Sequence, residues 1–309
     1  MKRILIIGTG SIGSEIAFTF SSKYEITCID HGKNFPTMEN QLTNINFVKG
    51  DINDLKLIKE NTQNHDIVFY CINTGGVADC IEKPLKYYDI NVTNFKKLIK
   101  TLKDLQPHFF LFSSIFVYPD DNNITENTEP NPETTYGKLR LKQEQILLDS
   151  KLDFTILRLS NIFGYGNFFN VGSMGAIEKF IDCVFSGNKI KLHGDGSQKV
   201  DYLYKQDLMD LLTILIKTQS ENKIYNVSTG VIRPIHEIAN IIRTIGAQKF
   251  HRNIEIVKLD SNKKMPNLPL VFSQKITHET TWKPSTNIEF RIEEMMHYYS
   301  KKIHNLNQK

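Results

Sequence analysis

The amino-acid sequence predicts an α/β fold, in which a doubly wound parallel sheet carries a smaller C-terminal α/β lobe. Short apolar runs alternate with helical patterns over the first two thirds of the chain. Several of these runs are apolar throughout, which is typical of strands buried on both faces of a sheet. Because strand, helix and strand follow one another in this order, we expect the strands to pair in parallel. At 309 residues the chain is near the limit for a single core, so two lobes are expected.

The individual elements follow from these patterns in chain order. The predicted strands of the first part span residues 3–7, 25–29, 67–72, 109–113 and 155–159, and its helical patterns include residues 86–105 and 136–150. After Gly164 the glycines become frequent, and residues 194–197 form a strong turn signal. The later part is expected to contain a strand at 200–204, a helix at 205–217, a strand at 224–227, a helix at 234–245 with Pro234 in its first turn, a loop at 260–269 and a last helix at 288–303.

Composition and charge narrow the class of protein. Lysine plus arginine number 38 and aspartate plus glutamate 34, and this net charge of +4 is low for a nucleic-acid binder, so we expect no nucleic-acid partner. No run of about 18 apolar residues occurs, so we expect no membrane span. The cysteines have no paired spacing, and the histidines have no metal-ligand spacing. We therefore expect reduced thiols, no metal site and a cytoplasmic location.

A glycine-rich turn follows the first predicted strand and opens a helix. Glycine lets the backbone turn sharply and approach a pyrophosphate, whose charge favours the N-terminus of a helix. Glycine-rich turns also occur without a ligand, so the position between strand and helix is what gives the motif its meaning. We interpret the turn as the cofactor-binding turn of a Rossmann fold, with contacts from Gly8, Gly10, Ser11, Ile12 and Gly13.

An acidic residue ends the second predicted strand. Asp30 stands 17 residues beyond Gly13, where a carboxylate accepts hydrogen bonds from both adenosine ribose hydroxyls and repels a 2′-phosphate. The sequence therefore predicts NAD in preference to NADP, and the alternative is an exposed turn aspartate. We place His31 beside the adenosine pocket. Asp51 and Ile52 follow an apolar strand and are expected next to the adenine, although a simple turn carboxylate is the alternative for Asp51.

Three further residues are suited to removing a hydride from an alcohol. Ser114 lies at the end of a predicted strand, the edge where ligands bind in such sheets, and Tyr136 and Arg140 share one helix face at i and i+4. A tyrosine has an unperturbed pKa of about 10, which is too high for a base at neutral pH. A fixed cation beside the phenol lowers that pKa, as does a positive nicotinamide ring. A serine hydroxyl then holds the substrate hydroxyl and passes on its proton.

Motifs along the chain carry a resemblance to a known family. They lie at residues 89–93, 113–118, 157–164, 193–198, 226–230 and 282–284. In these stretches the chain resembles an extended short-chain dehydrogenase/reductase of the NAD-dependent epimerase/dehydratase family, which acts mostly on nucleotide sugars. The resemblance runs over nearly the whole length. It implies an NAD-binding domain at 1–163 and about 200–230, and a nucleotide-sugar lobe at 164–199 and about 231–309.

The resemblance also implies roles for single residues. Tyr136 matches the catalytic tyrosine of the family, and Ser114 matches its serine/threonine position. Asn161 and residues 189–192 lie where the family holds the nucleotide sugar. We further expect cofactor contacts from Asn73, Tyr136 and Arg140. The expected substrate contacts are Gly76, Ser114, Ile115, Phe116, Asn161 and Lys199.

The chain departs from the family pattern at three positions. Ile7 stands where the family turn usually has glycine, and the backbone can still approach a phosphate there. Arg140 replaces the family lysine, and Lys138 cannot take over because it points about 200° around the helix. Arginine keeps the positive charge but cannot release a proton, so we expect catalysis to survive without a lysine-based proton relay. The alternative is a degenerate site that binds NAD without turnover.

The third departure concerns the phosphate of the substrate. In many relatives an arginine near the Gly-Asp-Gly-Ser turn contacts the sugar-nucleotide phosphate, and Val200 occupies that position here. Lys199 is adjacent but points to the other face of a strand. The candidates for this contact are therefore Lys199, Lys263 and Lys264, each of which is also explained as a solvated lysine.

The residues after Ser114 indicate which reaction to expect. The 4,6-dehydratases of the family carry an acid pair at these positions, whereas Ile115 and Phe116 cannot transfer protons, so dehydration is not expected. What remains is NAD-dependent oxidation of a sugar hydroxyl, at C4, by an epimerase or a dehydrogenase of polysaccharide biosynthesis. The competing class is a non-catalytic NAD-binding sensor of the same fold.

The family usually dimerises through a bundle of two long helices from each subunit. The helices predicted at 86–105 and 136–150 match these, and we expect a homodimer. Apolar residues for the contact are Ile90, Leu98, Leu102, Leu139, Ile146 and Leu147, although core packing would use the same side chains.

Overall fold

A computed structural model of the chain describes residues 1–32, 42, 44–164, 175–218, 222–260 and 268–306. The largest element is a seven-stranded parallel sheet with the strand order β10-β6-β5-β4-β1-β2-β3. Its strands are β1 (Arg3–Ile7), β2 (Glu25–Asp30), β3 (Ile45–Lys49), β4 (Ile67–Tyr70), β5 (His108–Ser114), β6 (Phe154–Leu159) and β10 (Lys223–Val227). Every pair in this sheet is parallel. The predicted doubly wound sheet is therefore confirmed.

The central strands are apolar because both faces of the sheet are covered. Along β1, Ile4 and Ile6 belong to one apolar cluster, and Leu5 and Ile7 belong to another. Successive side chains of a strand point to opposite faces, so a strand between two helical layers must be apolar at every position. The edge strand β3 is only partly buried, which explains why its pattern is weaker.

Helices pack on both faces of this sheet. They are α1 (Ser11–Phe20), α2 (Leu55–Thr62), α3 (Val77–Glu82), α4 (Pro84–Tyr88), α5 (Asn94–Leu102), α6 (Thr135–Leu148) and, from the later part of the chain, α8 (Lys205–Thr218). Helices α1 and α8 cover one face, and α2, α5 and α6 contribute to the core of the other. This arrangement leaves the carboxyl ends of the strands open as a ligand-binding edge.

The smaller lobe has its own core. It contains the three-stranded sheet β11-β9-β7 and the parallel pair β12-β8. These strands are β7 (Asn161–Phe163), β8 (Ile190–His193), β9 (Lys199–Tyr204), β11 (Ile232–Pro234) and β12 (Ile256–Leu259). They pack with α7 (Ala176–Ser186), α9 (Ile235–Phe250) and α11 (Ile288–Leu306), and α10 (Gln274–Glu279) lies beside the large sheet. In the described part of the chain, no helix is both long and apolar enough to cross a membrane.

Two of the differences between predicted and observed helices have a clear structural reason. The helix expected at 86–105 is divided into α4, a π-helical turn (Asp89–Thr93) and α5. The side chain of Asn91 in this turn donates hydrogen bonds to the carbonyls of Tyr87 and Thr74, and it ties the helix to the loop after β4. Pro234 lies before α9 because it pairs with Lys199 as the last residue of β11, and its ψ of 145° is extended.

The apolar residues suggested for a dimer contact belong largely to the core of one chain. Leu98, Leu102 and Leu147 are fully buried under the large sheet, and Leu139 is buried among Cys80 and Val92. The structure thus favours the core-packing alternative for these four leucines. Among the described residues of α3, α4 and α6, the exposed large apolar side chains are Ile81, Leu85, Tyr88 and Leu148.

Candidate active site

A cleft of about 400 Å³ lies at the carboxyl ends of β1, β2, β3 and β4. Of the residues predicted to bind the cofactor, it is lined by Gly8, Gly10, Asp30, His31, Asp51, Ile52 and Asn73. The sequence therefore identified residues from four separate strand ends that the fold brings to one cleft. Ser11, Ile12 and Gly13 lie in the first turn of α1 and do not line the cleft.

The first turn of α1 is built to receive an anion. Gly10 precedes the helix without any side-chain cap, and no acidic residue lies in the first turn, so the first backbone amides are open to a phosphate. The role of Gly13 is to let α1 pack closely against the turn, because a Cβ at this position would lie 2.0 Å from the carbonyl oxygen of Gly8. The glycine turn, the open helix terminus and the adjoining acidic residues fit a dinucleotide.

The two predicted carboxylates are held by backbone amides. Asp30 accepts hydrogen bonds from the amide of Thr9 at 2.7 Å and from that of Gly32 at 3.2 Å. Asp51 accepts from the amide of Asn53 at 2.7 Å, and one of its oxygens lies 3.7 Å from Nδ1 of the exposed His31. These bonds fix both carboxylates at the edge of the cleft, with lone pairs left for ligand hydroxyl or amino groups.

Ser114 ends β5 and begins a short 3₁₀ turn (Ile115–Val117) that packs against α6. Its Oγ accepts a hydrogen bond from the amide of Phe116 at 3.3 Å. Gly137 allows the close approach of the turn to the helix, because a Cβ at this position would lie 2.1 Å from the carbonyl oxygen of Phe116. The rings of Phe116 and Tyr136 meet edge to face, with centroids 5.7 Å apart. The predicted serine and tyrosine segments are therefore neighbours.

Tyr136 and Arg140 share a face of α6, as their spacing predicts. The helix begins where the Thr134 side chain accepts a hydrogen bond from the amide of Gly137. The Cζ of Arg140 lies 5.0 Å from the centroid of the Tyr136 ring, and its side chain is only 1% exposed. Lys138 is exposed and points away from this face. The local cation of the phenol is therefore Arg140.

Three amide side chains surround the guanidinium group. Its Nη1 donates to Oε1 of Gln143 at 2.6 Å, and its Nη2 donates to Oδ1 of Asn73 and, at 3.4 Å, to Oδ1 of Asn91. The Nδ2 of Asn73 in turn donates to the hydroxyl of Tyr136 at 3.0 Å. Sequence reasoning missed Gln143 and Asn91. The i+3 spacing of Gln143 from Arg140 was a usable signal, whereas Asn91 reaches the site only through the tertiary fold.

A buried polar network joins the segments that carry Ser114 and Tyr136. Ser113 donates to Glu144 at 2.5 Å, and Glu144 forms an ion pair of 2.6 Å with Arg158. Arg158 also donates to Tyr118, whose hydroxyl donates to Asn226 at 2.8 Å. Burial alone would lower the pKa of Arg158, but the hydrogen bonds and charge of Glu144 raise it. The network thus connects β5, α6, β6 and β10.

The residues expected to contact the substrate are more widely spread. Gly76 precedes α3 and donates its amide hydrogen to Asp79 at 2.8 Å. Asn161 is exposed on β7, and Lys199 is exposed at the start of β9, where Val200 is buried in the core of the smaller lobe. Within the described residues no hydrogen bond joins these side chains to Tyr136. Lys263 and Lys264 lie outside the described residues.

Comparison with known proteins adds independent information. A model of the NAD dependent epimerase/dehydratase family matches residues 4–228. A UDP-glucose 4-epimerase of Lactobacillus helveticus is 28% identical over 208 residues, which form 60% of this chain and 63% of that protein, so the match spans less than two thirds of the relative. A dTDP-D-glucose 4,6-dehydratase of Homo sapiens is 23% identical over 327 residues, with 98% of this chain and 91% of that protein covered.

A solved structure of similar fold contains both a cofactor and a nucleotide sugar. It is a UDP-glucuronic acid 4-epimerase from Bacillus cereus in complex with UDP-glucuronic acid and NAD. It matches this chain with a TM-score of 0.84 and 20% identity, over 97% of this chain and 99% of that one. At this level of identity the comparison shows a shared fold.

Proposed function

The chain belongs to the NAD-dependent epimerase/dehydratase family, and on that premise we propose that it oxidises the C4 hydroxyl of a nucleotide sugar. The family uses NAD, as predicted from the sequence. UDP is the nucleotide named for the epimerase relatives, which supports a UDP-sugar as the substrate. We propose the overall reaction to be 4-epimerisation, with net oxidation to a keto-sugar as the other outcome of the same first step.

One observation carries this proposal: the Tyr136 hydroxyl accepts a hydrogen bond from Asn73, which lines the cleft, and the buried cation of Arg140 lies over the Tyr136 ring. When bound, NAD accepts a hydride from the sugar carbon and can return it. The deprotonated phenolate of Tyr136 takes the proton of the sugar hydroxyl as the hydride leaves. Ser114 orients that hydroxyl, and the charge of Arg140 stabilises the deprotonated phenol.

Asp30, Asp51 and the turn at Gly8 and Gly10 would hold the cofactor. The amides at the start of α1 match the pyrophosphate, and the carboxylate of Asp30 matches the adenosine ribose. Asn161 and Lys199 remain our proposals for the substrate, as do Gly76, Ile115 and Phe116.

The family includes dehydratases as well as epimerases, so membership alone does not exclude dehydration. The prediction that the protein does not dehydrate its substrate therefore rests on the side chains after Ser114. Ile115 is fully buried, and Phe116 presents an aromatic ring to Tyr136. Neither group donates or accepts a proton, which supports epimerisation over loss of water.

The test is incubation of the purified protein with NAD and, separately, UDP-, GDP- and dTDP-sugars, with the products identified by NMR. We expect a 4-epimer from a UDP-sugar, and accumulation of NADH if net oxidation is the reaction. Tyr136→Phe should lower turnover by at least about a hundredfold, because it removes the proton acceptor. An unaltered sugar in every incubation, with NAD binding intact, would instead identify a non-catalytic NAD-binding sensor.

A further inference from the structure

The buried guanidinium of Arg140 is held by neutral amide oxygens. Gln143, Asn73 and Asn91 supply all of its hydrogen-bond acceptors among the described residues, and no carboxylate of that part of the chain forms an ion pair with it. A buried charge without a carboxylate partner is costly, and its field is not cancelled locally. The charge of Arg140 therefore acts on the groups around it, of which the phenol of Tyr136 is one.

Arg140 does not itself bond to the phenol oxygen. Its Cζ lies over the ring of Tyr136, 5.0 Å from the centroid. The contact to the oxygen is made by Asn73, whose Oδ1 accepts from Arg140 and whose Nδ2 donates to the Tyr136 hydroxyl at 3.0 Å. An amide whose carbonyl is bonded to a cation is polarised, and its N–H becomes a stronger donor. Asn73 thus joins the cation to the reacting oxygen.

We propose that Asn73 is a further catalytic residue, which transmits the charge of Arg140 to the phenol oxygen of Tyr136 by a hydrogen bond. This inference rests on the proposed function, which makes that oxygen the proton acceptor. A hydrogen bond donated to the oxygen stabilises its deprotonated form more than its neutral form. The planar fork of arginine serves Gln143 and Asn73 at once, whereas the compact ammonium of lysine does not match that geometry. Arg140 and Asn73 are therefore expected to act as one unit.

Other titratable groups also pack around Tyr136 and must be kept constant. Apart from Arg140 on its own helix, they are Cys80 on α3 and Tyr87 on α4, in the same apolar cluster. Burial raises the pKa of the Cys80 thiol, with Arg140 opposing this effect. Neither residue forms a hydrogen bond to Tyr136 among the described contacts, so substitutions at Asn73 leave both in place.

The first test measures the titration of Tyr136 directly and needs no substrate. The full-length protein is labelled with ¹³Cζ-tyrosine, and the Tyr136 resonance is assigned by its absence in Tyr136→Phe. Asn73→Ala should move the titration midpoint of this resonance upward by about one pH unit. The matched control is Lys138→Gln, which removes an exposed charge from the same helix and should leave the midpoint unchanged. An unchanged midpoint in Asn73→Ala would overturn the proposal.

Arg140→Lys provides a second variant, which keeps a cation at this position. If Asn73 must be bonded by the guanidinium fork, this variant should also move the midpoint upward. A wild-type midpoint in Arg140→Lys would show that any cation suffices and would contradict the linked unit.

The second test is a kinetic cycle with the nucleotide sugar that the protein converts. Asn73→Ala and Arg140→Lys should each lower kcat about tenfold or more, with KM for the sugar changed much less. The double variant should be no slower than the slower single variant, whereas independent residues would give losses that multiply. If the wild-type protein converts no nucleotide sugar, the proposed function fails, and the NMR titration still decides whether Asn73 transmits the charge.

Discussion

At Arg140, a permanent cation occupies the position where the family has a titratable lysine. The guanidinium cannot release a proton, so its contribution to the proposed reaction is electrostatic. Its burial strengthens that contribution because the surrounding medium screens a buried charge less than water does. The amides of Asn73, Asn91 and Gln143 keep the guanidinium in place without neutralising it.

His108 is a second buried residue whose charge state matters, in this case for stability. It is the first residue of β5, is 7% exposed, and its Nε2 lies 2.9 Å from the hydroxyl oxygen of Thr155. Burial lowers the pKa of His108 to about 4, with Asp153 opposing this shift and Lys2 adding to it. In the unfolded chain the pKa of a histidine is about 6.5. The unfolded state therefore binds more protons between these two values.

We expect the free energy of unfolding to fall as the pH decreases from about 6.5 to about 4, because the folded state holds His108 neutral. The contribution of His108 to the free energy of unfolding should be about 2 kcal/mol smaller at pH 5 than at pH 7. Urea unfolding at both pH values checks this, with His108→Gln as the variant that lacks the effect. The exposed His278→Gln serves as the control. An equal pH dependence in wild-type and His108→Gln would contradict the expectation.

Among the elements, the 3₁₀ turn after β5 and the helix α6 depend on one another. Ser114 lies at the start of the turn, and Tyr136 lies in the first turn of the helix. The two backbones can approach each other because Gly137 has no side chain. The ion pair of Glu144 and Arg158 fixes the same helix further along. The relative position of Ser114 and Tyr136 is thus set by backbone packing and not by a direct bond between the two side chains.

Gly137→Ala should separate these two elements. Its Cβ would lie 2.1 Å from the carbonyl oxygen of Phe116, and a backbone atom at this distance cannot rotate away. We expect a loss of about 1–3 kcal/mol in the free energy of unfolding and a larger relative loss of turnover than of NAD affinity. Urea unfolding, turnover and NAD titration measure the three quantities. Lys138→Ala, one residue further on and exposed, is the matched control, and a Gly137→Ala protein as stable and active as this control would refute the packing argument.

On the scale of the whole molecule, the helices α3 and α4 carry exposed apolar side chains. Ile81 on α3 is 64% exposed, and Leu85 and Tyr88 on α4 are 82% and 45% exposed. Exposed apolar side chains on neighbouring helices often mark a contact between subunits. This surface adjoins the helical segments 84–102 and α6, which correspond to the predicted dimer helices.

We expect the chain to form a homodimer through Ile81 and Leu85. A double substitution of both residues by aspartate should shift the molecular mass in solution from that of a dimer to that of a monomer, because it places charges in an apolar contact. Light scattering after size-exclusion chromatography measures the mass. Phe290→Asp, at an exposed aromatic residue of the smaller lobe, is the control and should leave the dimer intact. A wild-type monomer at micromolar concentration would contradict the prediction.

Much of the fold could be predicted because its signals are local. The apolar strands, the glycine turn and the i, i+4 pair of Tyr136 and Arg140 each lie within a short segment, and periodicity is sufficient to identify them. The bounds of α9 and the division of the helix at 86–105 could not be predicted. They depend on Pro234 pairing with Lys199 and on Asn91 bonding to Thr74, both contacts with distant residues.

The sequence alone determined the parallel α/β sheet, the glycine turn after the first strand, and the pairing of a phenol with a guanidinium on one helix face, because each depends on spacing within a segment. Only the tertiary structure decided that Asn73 reaches Tyr136 across 63 residues, and that Leu98 and Leu147 belong to the core instead of a subunit contact. The physical reason is that the residue type of an apolar or amide side chain does not indicate which residue it contacts. Packing selects that partner from residues far apart in the chain.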